Sequence, residues 1–555
     1  MSIRKVLNVR LAILAGVAMA ASACGSGEGP GAVGTRGLPG EMVFHRGNAA
    51  EPDSLDPHHI EGVWESDIVG DLLIGLTTAD VNGEAIPGAA ESWDISEDGL
   101  TWTFHLREHV WSDGMPVTAQ DFVFAFRRLL DPATASSYAY YLYPVLDAQT
   151  VNSGRMSLAE LGVEAPDDLT FVVHLEYQAP YLAEFMTHAV TSPVPRHVVE
   201  RLGNSWTRPE NYVGNGPYRL VEWIPNDHAT AVKNPLFYDA DNVGVDRVFY
   251  YPTADYDAAL QRFRAGELDY QARLPAAQID WIRQNMPETI DLQPTLILEF
   301  ISLNFAREGL DDVRVREALS LALDRETIVD RVRRLGTPPA YSMIPPGIAN
   351  YHGGVALDFA DIPQPERIER AKMLMQEAGY GPDNRLRFGF AVRAASAEAR
   401  RVPAAIQQMW SEIYVDIEIE QSDGAVFYNL LQEHDYDTGL AGWVADYNDA
   451  SNFLDLLRVG NSNNYGQYEN PEYDALLDEA MREQDLDRRA EIMAQAEALA
   501  LADHAWITIY FGVTDGLTQP YVNGFINNIN DTNRTRWVSI DEAARAERFP
   551  RRYGN

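Results

Sequence analysis

Thr101-Trp102-Thr103-Phe104-His105-Leu106 alternates polar with apolar residues. A little further on, Thr118-Ala119-Gln120-Asp121 opens a stretch in which Phe122, Phe124, Ala125, Phe126 and Leu129 recur at helical spacing. The first pattern has period two and predicts a half-buried strand. The second starts on a threonine with an acidic residue three positions later, so it predicts a capped amphipathic helix ending near Asp131-Pro132. Strand and helix this close together set the texture of the chain as mixed α/β. Upstream, Trp93-Asp94-Ile95-Ser96-Glu97-Asp98-Gly99 has the acidic spacing of a poor calcium loop without the closing bidentate glutamate; a hairpin turn is predicted instead. Met42-Val43-Phe44-His45 predicts another short strand. Downstream, a helix is expected over 312–334, capped by Asp311 or Asp312, with Val315, Leu319, Ala322 and Leu323 on its apolar face. Arg314, Arg316 and Glu317 fall on its other faces and read as solvated or structural. Residues 366–380 and 485–502 repeat the pattern of apolar faces and charged backs, and no internal repeat has a fixed period.

At 555 residues the chain exceeds the usual size of one core, so two or three domains are expected. Hydrophobic residues make up 46% and charged residues 23%, which argues against a fibre or a disordered chain. The 82 acidic residues against 44 basic ones leave a formal charge of −38. A surface of that sign repels phosphates, which argues against nucleic acid and anionic membrane surfaces as partners. One cysteine excludes an intrachain disulfide and any multi-cysteine metal site.

That cysteine, Cys24, follows Ala21-Ser22-Ala23 and the apolar run Leu11 to Ala20, which is preceded by Arg4, Lys5 and Arg10. The pattern predicts a secretory signal peptide over 1–23, too short and wrongly flanked for a transmembrane helix. A cysteine in that place resembles a bacterial lipoprotein cleavage box, so Cys24 is expected to be acylated and to anchor the chain to a membrane. Residues 24–41 are rich in glycine and predict a flexible tether.

The catalytic inventory is thin. The chain has no Gly-x-Ser-x-Gly, no His-Glu-x-x-His, no Gly-x-x-x-x-Gly-Lys and no Gly-x-Gly-x-x-Gly between a strand and a helix. His58-His59 is an adjacent pair that an extended backbone would point to opposite faces, so no metal site is expected there.

Seven blocks resemble, in order, the periplasmic oligopeptide-binding proteins of ABC transporters. They are Ser54-Leu55-Asp56-Pro57-His58 with Ile60-Glu61-Gly62-Val63; Pro87 to Trp93; Trp111-Ser112-Asp113-Gly114 through Phe122; Asn215-Gly216-Pro217-Tyr218; Arg264 to Asp269; Asp312 to Leu319; and Gly442-Trp443-Val444-Ala445-Asp446-Tyr447-Asn448-Asp449. The resemblance implies an α/β fold of two lobes joined by a hinge, with an additional third domain. Laid on this chain, lobe I would take 42–73, 198–297 and 514–555, the extra domain 74–197 and lobe II 298–513. It implies a non-enzymatic monomer without cofactor, which captures short peptides by lobe closure and hands them to a permease.

The family's site carries over residue by residue. Asp446 matches the aspartate that meets the peptide's ammonium, and Tyr138 a tyrosine assisting at the same end. Glu61-Gly62-Val63 and Gly442-Trp443-Val444 match two segments that pair with the peptide backbone. Gly62 and Gly442 suit close backbone approach. At the peptide's carboxyl end the chain departs from the pattern: Leu440 and Leu431-Gln432 stand where basic residues are expected, and Gly512 where an aromatic lines the pocket. Arg273, Arg393, Arg400 and Arg401 are candidates to substitute, Arg273 first. The same fold with a murein peptide, a metal chelate or a glycan as ligand is the nearest alternative. A peptide or cell-wall hydrolase and an envelope chaperone are further ones.

Overall fold

Two sheets, each with its own hydrophobic core, organise the computed structural model, which describes residues 37–38, 40–60, 62–393, 400–422 and 424–553. Cys24, the expected signal peptide and Glu61 lie outside the described residues. The first sheet has six strands in the order Leu517–Thr518, Tyr270–Gln271, Val43–Gly47, Arg247–Tyr251, His228–Lys233 and Tyr218–Ile224. Val43–Gly47 pairs in parallel with both neighbours and is buried along its whole length, as a strand covered on both faces must be. The second sheet runs Val415–Ser422, Leu386–Arg393, Thr438–Val444, Pro294–Leu303, Trp506–Val513. A third, antiparallel sheet of four strands joins Ala90–Ile95, Thr101–Leu106, Thr170–His174 and Val163–Asp167.

The local expectations are met where the signal is local. Trp102, Phe104 and Leu106 are buried while Thr101, Thr103 and His105 are half-buried, the alternation read from the sequence. The segment before them is a hairpin turn, closed by Gly99 at a φ of 70°. The helix Ala119–Leu130 starts on Thr118, whose backbone N–H and hydroxyl both donate to the Asp121 carboxylate, at 2.9 and 3.2 Å. It ends at Asp131, which is extended because the next residue is proline.

The helix expected over 312–334 is broken. Val313–Ala322 is helical, Leu323 turns extended, and Asp324 then caps a new turn by accepting from Thr327 N–H at 2.9 Å. A competing cap inside an apolar stretch outweighs its periodicity. Arg316 is buried and donates to the carbonyls of Leu310, Asp311 and Asp503, a structural role. The helices Gln364–Glu377 and Leu486–Ala502 form where expected, the second capped by Asp485.

The first core runs from Phe44 to Tyr270 in sequence and resumes at Tyr521–Ile540, and it includes the residues of the four-stranded sheet. The second takes Leu296 to Phe511. The chain passes between them side by side: Pro294 pairs with Val513, and Ile290 bridges to Leu517. A third segment lies against this crossing, where Asn527 Nδ2 donates to Asp291 O at 2.7 Å and Leu296 N to Ile529 O at 3.1 Å.

Candidate ligand-binding cavity

Beside the crossing lies a cavity of about 330 Å³ whose walls come from both cores. One wall continues the strand Thr438–Val444. That strand pairs with Pro294–Leu303 along its full length, Val444 opposite Ile297. On its other edge the parallel pairing with Leu386–Arg393 stops at Val392 opposite Leu440. Among the described residues, Ala441–Val444 therefore keeps one edge of unpaired backbone donors and acceptors. Val444 is 63% exposed and lines the cavity. A Cβ on Gly442 would lie 2.7 Å from the Glu299 carboxylate, so the glycine leaves that side chain its place. Burial pushes that glutamate up to about 7.

Past Val444 the wall ends in Asp446. Its side chain accepts one hydrogen bond, from Tyr140 Oη at 3.2 Å, and has no ion-pair partner among the described residues. Burial raises its pKa to about 6, against the lowering effect of the Tyr140 bond. The backbone is held from both sides: Tyr141 Oη donates to Asp446 O at 3.1 Å, and Asp446 N donates to Asn452 Oδ1 at 3.4 Å. Trp443 lies behind the wall, not in it, and donates Nε1 to the same Asn452 oxygen at 2.7 Å. Tyr447 stacks on Tyr181 at 4.6 Å between ring centroids. Asp449, fully buried, takes a two-pronged pair from Arg489 at 2.7 and 2.8 Å, and also accepts from Ser451 N and Oγ. An unpaired carboxylate thus sits on a loop whose neighbours are all fixed.

Tyr138 lines the cavity, stacked between Tyr140 and His188 at centroid distances of 5.8 and 5.4 Å. The hydroxyl that donates to the Asp446 carboxylate is that of Tyr140, in the turn Ala139–Leu142. His188 is held neutral, its pKa lowered to about 4 mainly by burial.

The opposite wall includes Gly62, Val63, Ser66, Asp67, Arg273, Asn530, Asp531, Thr532 and Arg534. Gly62 is extended and caps the helix Val63–Leu72, its N–H donating to Glu65 Oε2 at 2.9 Å. Val63 is already the first helical residue, so Gly62 and Val63 line the cavity as a helix entrance. Asp67 is paired with buried Arg46 at 2.5 Å. Arg273 lines the cavity but is held by Asp515 at 2.8 Å and Asp531 at 3.5 Å, which raise its pKa against the opposing effect of burial. Its charge is already met within the protein by two carboxylates. Arg393, Arg400 and Arg401 are exposed and line no part of the cavity. Asp67, Asp531 and Arg534, which line the cavity, and Tyr140, which touches Asp446, carried no motif; each is placed by contacts distant in sequence. Among the described residues no cluster of three or more potential metal ligands occurs, and no helix is long and apolar enough to cross a membrane.

Two cores with a cavity beside their crossing, an open strand edge and an unpaired carboxylate define a two-lobed solute-binding protein. The profile of the family described as bacterial extracellular solute-binding proteins, family 5 Middle, matches residues 84–465. The chain belongs to that family. It is 39% identical over 485 residues to the periplasmic oligopeptide-binding protein OppA of Haemophilus influenzae, covering 86% of this chain and 90% of the relative. Among solved structures, the unliganded open form of the periplasmic murein tripeptide-binding protein MppA superposes with a TM-score of 0.83 at 31% identity, over 91% of this chain and 98% of the other. Haemophilus influenzae OppA in complex with the peptide RPPGFSPFR superposes at 0.73 with 37% identity, over 91% and 100%.

Proposed function

We propose that this chain is the extracytoplasmic receptor of an ABC peptide importer, held to the membrane through a lipid on Cys24, and that it encloses short peptides between its lobes. The observation that carries this reading is the unpaired, half-buried Asp446 at the end of an open strand edge. A carboxylate raised to about 6 by burial gains most from a cation placed beside it, and a peptide's ammonium is such a cation. The edge Ala441–Val444 offers the peptide backbone the hydrogen bonds it loses on leaving water, without reading side chains. Closure of the lobes would then exclude solvent from both interactions. The likeness to the open form of the murein tripeptide receptor supports an open arrangement of the lobes. No covalent step is required of any residue in the cavity.

Calorimetry with di- to pentapeptides tests this. Peptides with a free ammonium bind and their N-acetylated forms lose about tenfold to hundredfold in affinity, the range for a hydrogen bond to a charged group. Equal binding of the two forms would remove Asp446 from the site.

A further inference from the structure

The cavity holds two arginines with opposite histories. Arg273 is neutralised by two aspartates, whereas Arg534, only 6% exposed, has no ion-pair partner among the described residues. Its guanidinium donates from Nη1 to the carbonyl of Ser66 at 3.0 Å. The nearest acids are committed elsewhere: Asp67 to Arg46 at 2.5 Å, and Asp71 to Tyr250 Oη at 2.6 Å and to the backbone N–H and hydroxyl of Thr535. Burial lowers the pKa of Arg534 against the raising pull of Asp71 and Asp67, neither of which forms an ion pair with it. Of the other groups on that side of the cavity, His188 is held neutral, and Glu184 accepts from Ala85 N–H at 3.2 Å and is pushed up by burial.

Helix Val63–Leu72 makes room for this arginine at one position. A Cβ on Gly70 would lie 1.6 Å from Arg534 Nη1 and 2.1 Å from Cζ. Glycine inside a helix is unfavourable to the helix itself; here it keeps open the slot in which the guanidinium lies. A buried cation without a carboxylate, lodged in space left by a glycine and lining a cavity, is suited to an anion that arrives with the ligand.

We propose that Arg534, seated in the slot left by Gly70, is the anchor for the C-terminal carboxylate of the bound peptide. The proposal rests on the peptide reading above and supplies the basic group that the chain lacks around Leu440 and Leu431-Gln432. The ligand would then lie with its ammonium at Asp446 on one wall and its carboxylate at Arg534 on the other.

Alanine peptides of two to five residues, each as free acid and as C-terminal amide, are titrated into the wild type, Arg534→Gln and Gly70→Ala, with thermal melting to confirm folding. In the wild type, amidation weakens binding about tenfold to hundredfold for the length that spans the cavity. In both variants acid and amide bind alike: Arg534→Gln lacks the charge, and Gly70→Ala displaces it while favouring the helix. An acid–amide difference that persists in both variants, or none in the wild type, overturns the role of Arg534. If no peptide binds the wild type in either form, the peptide reading itself falls and this proposal with it.

Discussion

The two walls of the cavity are built on opposite electrostatic plans. On the wall that runs from Val444 to Asp449, the structural charge and the free charge are separate residues. Asp449 is locked to Arg489, and Asp446 three positions earlier is left with one phenolic hydrogen bond. On the wall formed by Gly62–Asp67, Arg273 and Asn530–Arg534, almost every charge is internally paired: Arg46 with Asp67, and Arg273 with Asp515 and Asp531. Only Arg534 is not. The difference teaches how to tell a binding charge from a structural one in a buried site. Proximity to the cavity is shared by both kinds; what separates them is whether the protein already supplies the counter-charge. A paired buried charge holds its neighbours in place, and removing its partner is costly. An unpaired one is a liability until a ligand arrives.

The largest expected effect tests the structural half of that comparison. Arg489 and Asp449 are 3% and 0% exposed as side chains and joined by two hydrogen bonds. Arg489→Met leaves Asp449 buried without a counter-charge, and breaking such a pair costs about 3–5 kcal/mol. Urea unfolding of the empty protein measures it. A loss below about 1 kcal/mol would mean that the loop holding Asp446 is not fastened by this pair, and the account of that wall would have to be rebuilt.

The functional half makes the contrary prediction. Asp446 has its pKa raised from 3.8 to about 6, so the folded protein holds this proton more tightly than the unfolded chain does. Below about pH 4 the group is neutral in both states and costs nothing. As pH rises toward 6 the unfolded chain ionises freely while the folded one resists, and above 6 the full penalty is present. Asp446→Asn is therefore expected to match the wild type at pH 4 and to be more stable by about 2 kcal/mol at pH 7, after allowance for the solvent still reaching the side chain. Bound peptide reverses the sign: the ammonium favours the carboxylate, so affinity for free-amine peptides climbs with pH through about 6. A wild type more stable than Asp446→Asn at pH 7 without ligand would show that Asp446 is a structural charge after all.

The legibility of the two walls differs for a physical reason. Gly442, Trp443 and Asp446, of which Asp446 lines the cavity, lie in one contiguous stretch, so their order survives in the sequence. The same holds for the alternation at 101–106 and the Thr118–Asp121 cap, whose causes lie within one turn or one strand. The other wall is assembled from segments hundreds of residues apart: Ser66 receives its hydrogen bond from a residue 468 positions away. Nothing local marks Arg534, and Gly70 reads as an indifferent helix glycine until the guanidinium beside it is seen. Arg273 is a mixed case. It lies at the cavity as expected, yet Asp515 and Asp531, which neutralise it, reach it only through the packing of the crossing segments. The break at Leu323-Asp324 was obscured by a continuous apolar face, in which a cap residue looks like any other polar position.

The smallest effect separates two neighbouring tyrosines. The sequence motif points to Tyr138, but the hydroxyl 3.2 Å from the Asp446 carboxylate belongs to Tyr140. That bond favours the ionised carboxylate, and Tyr140 loses its own acidity in consequence: burial and then the Asp446 charge hold its hydroxyl protonated. The donor is thus available at every pH at which the peptide ammonium is charged. Tyr140→Phe removes it and leaves the ring that stacks on Tyr138. A hydrogen bond to a half-exposed charge contributes about 1 kcal/mol, so affinity for a free-amine peptide should fall about threefold to tenfold. The pH at which affinity rises should move upward, since Asp446 has lost the one group that lowered its pKa. Tyr138→Phe should leave that midpoint in place, because the hydroxyl that donates to the carboxylate and lowers its pKa is that of Tyr140. If the Tyr138 variant moves the midpoint and the Tyr140 variant does not, the motif was the better guide and the lobes must close with a different tyrosine against Asp446.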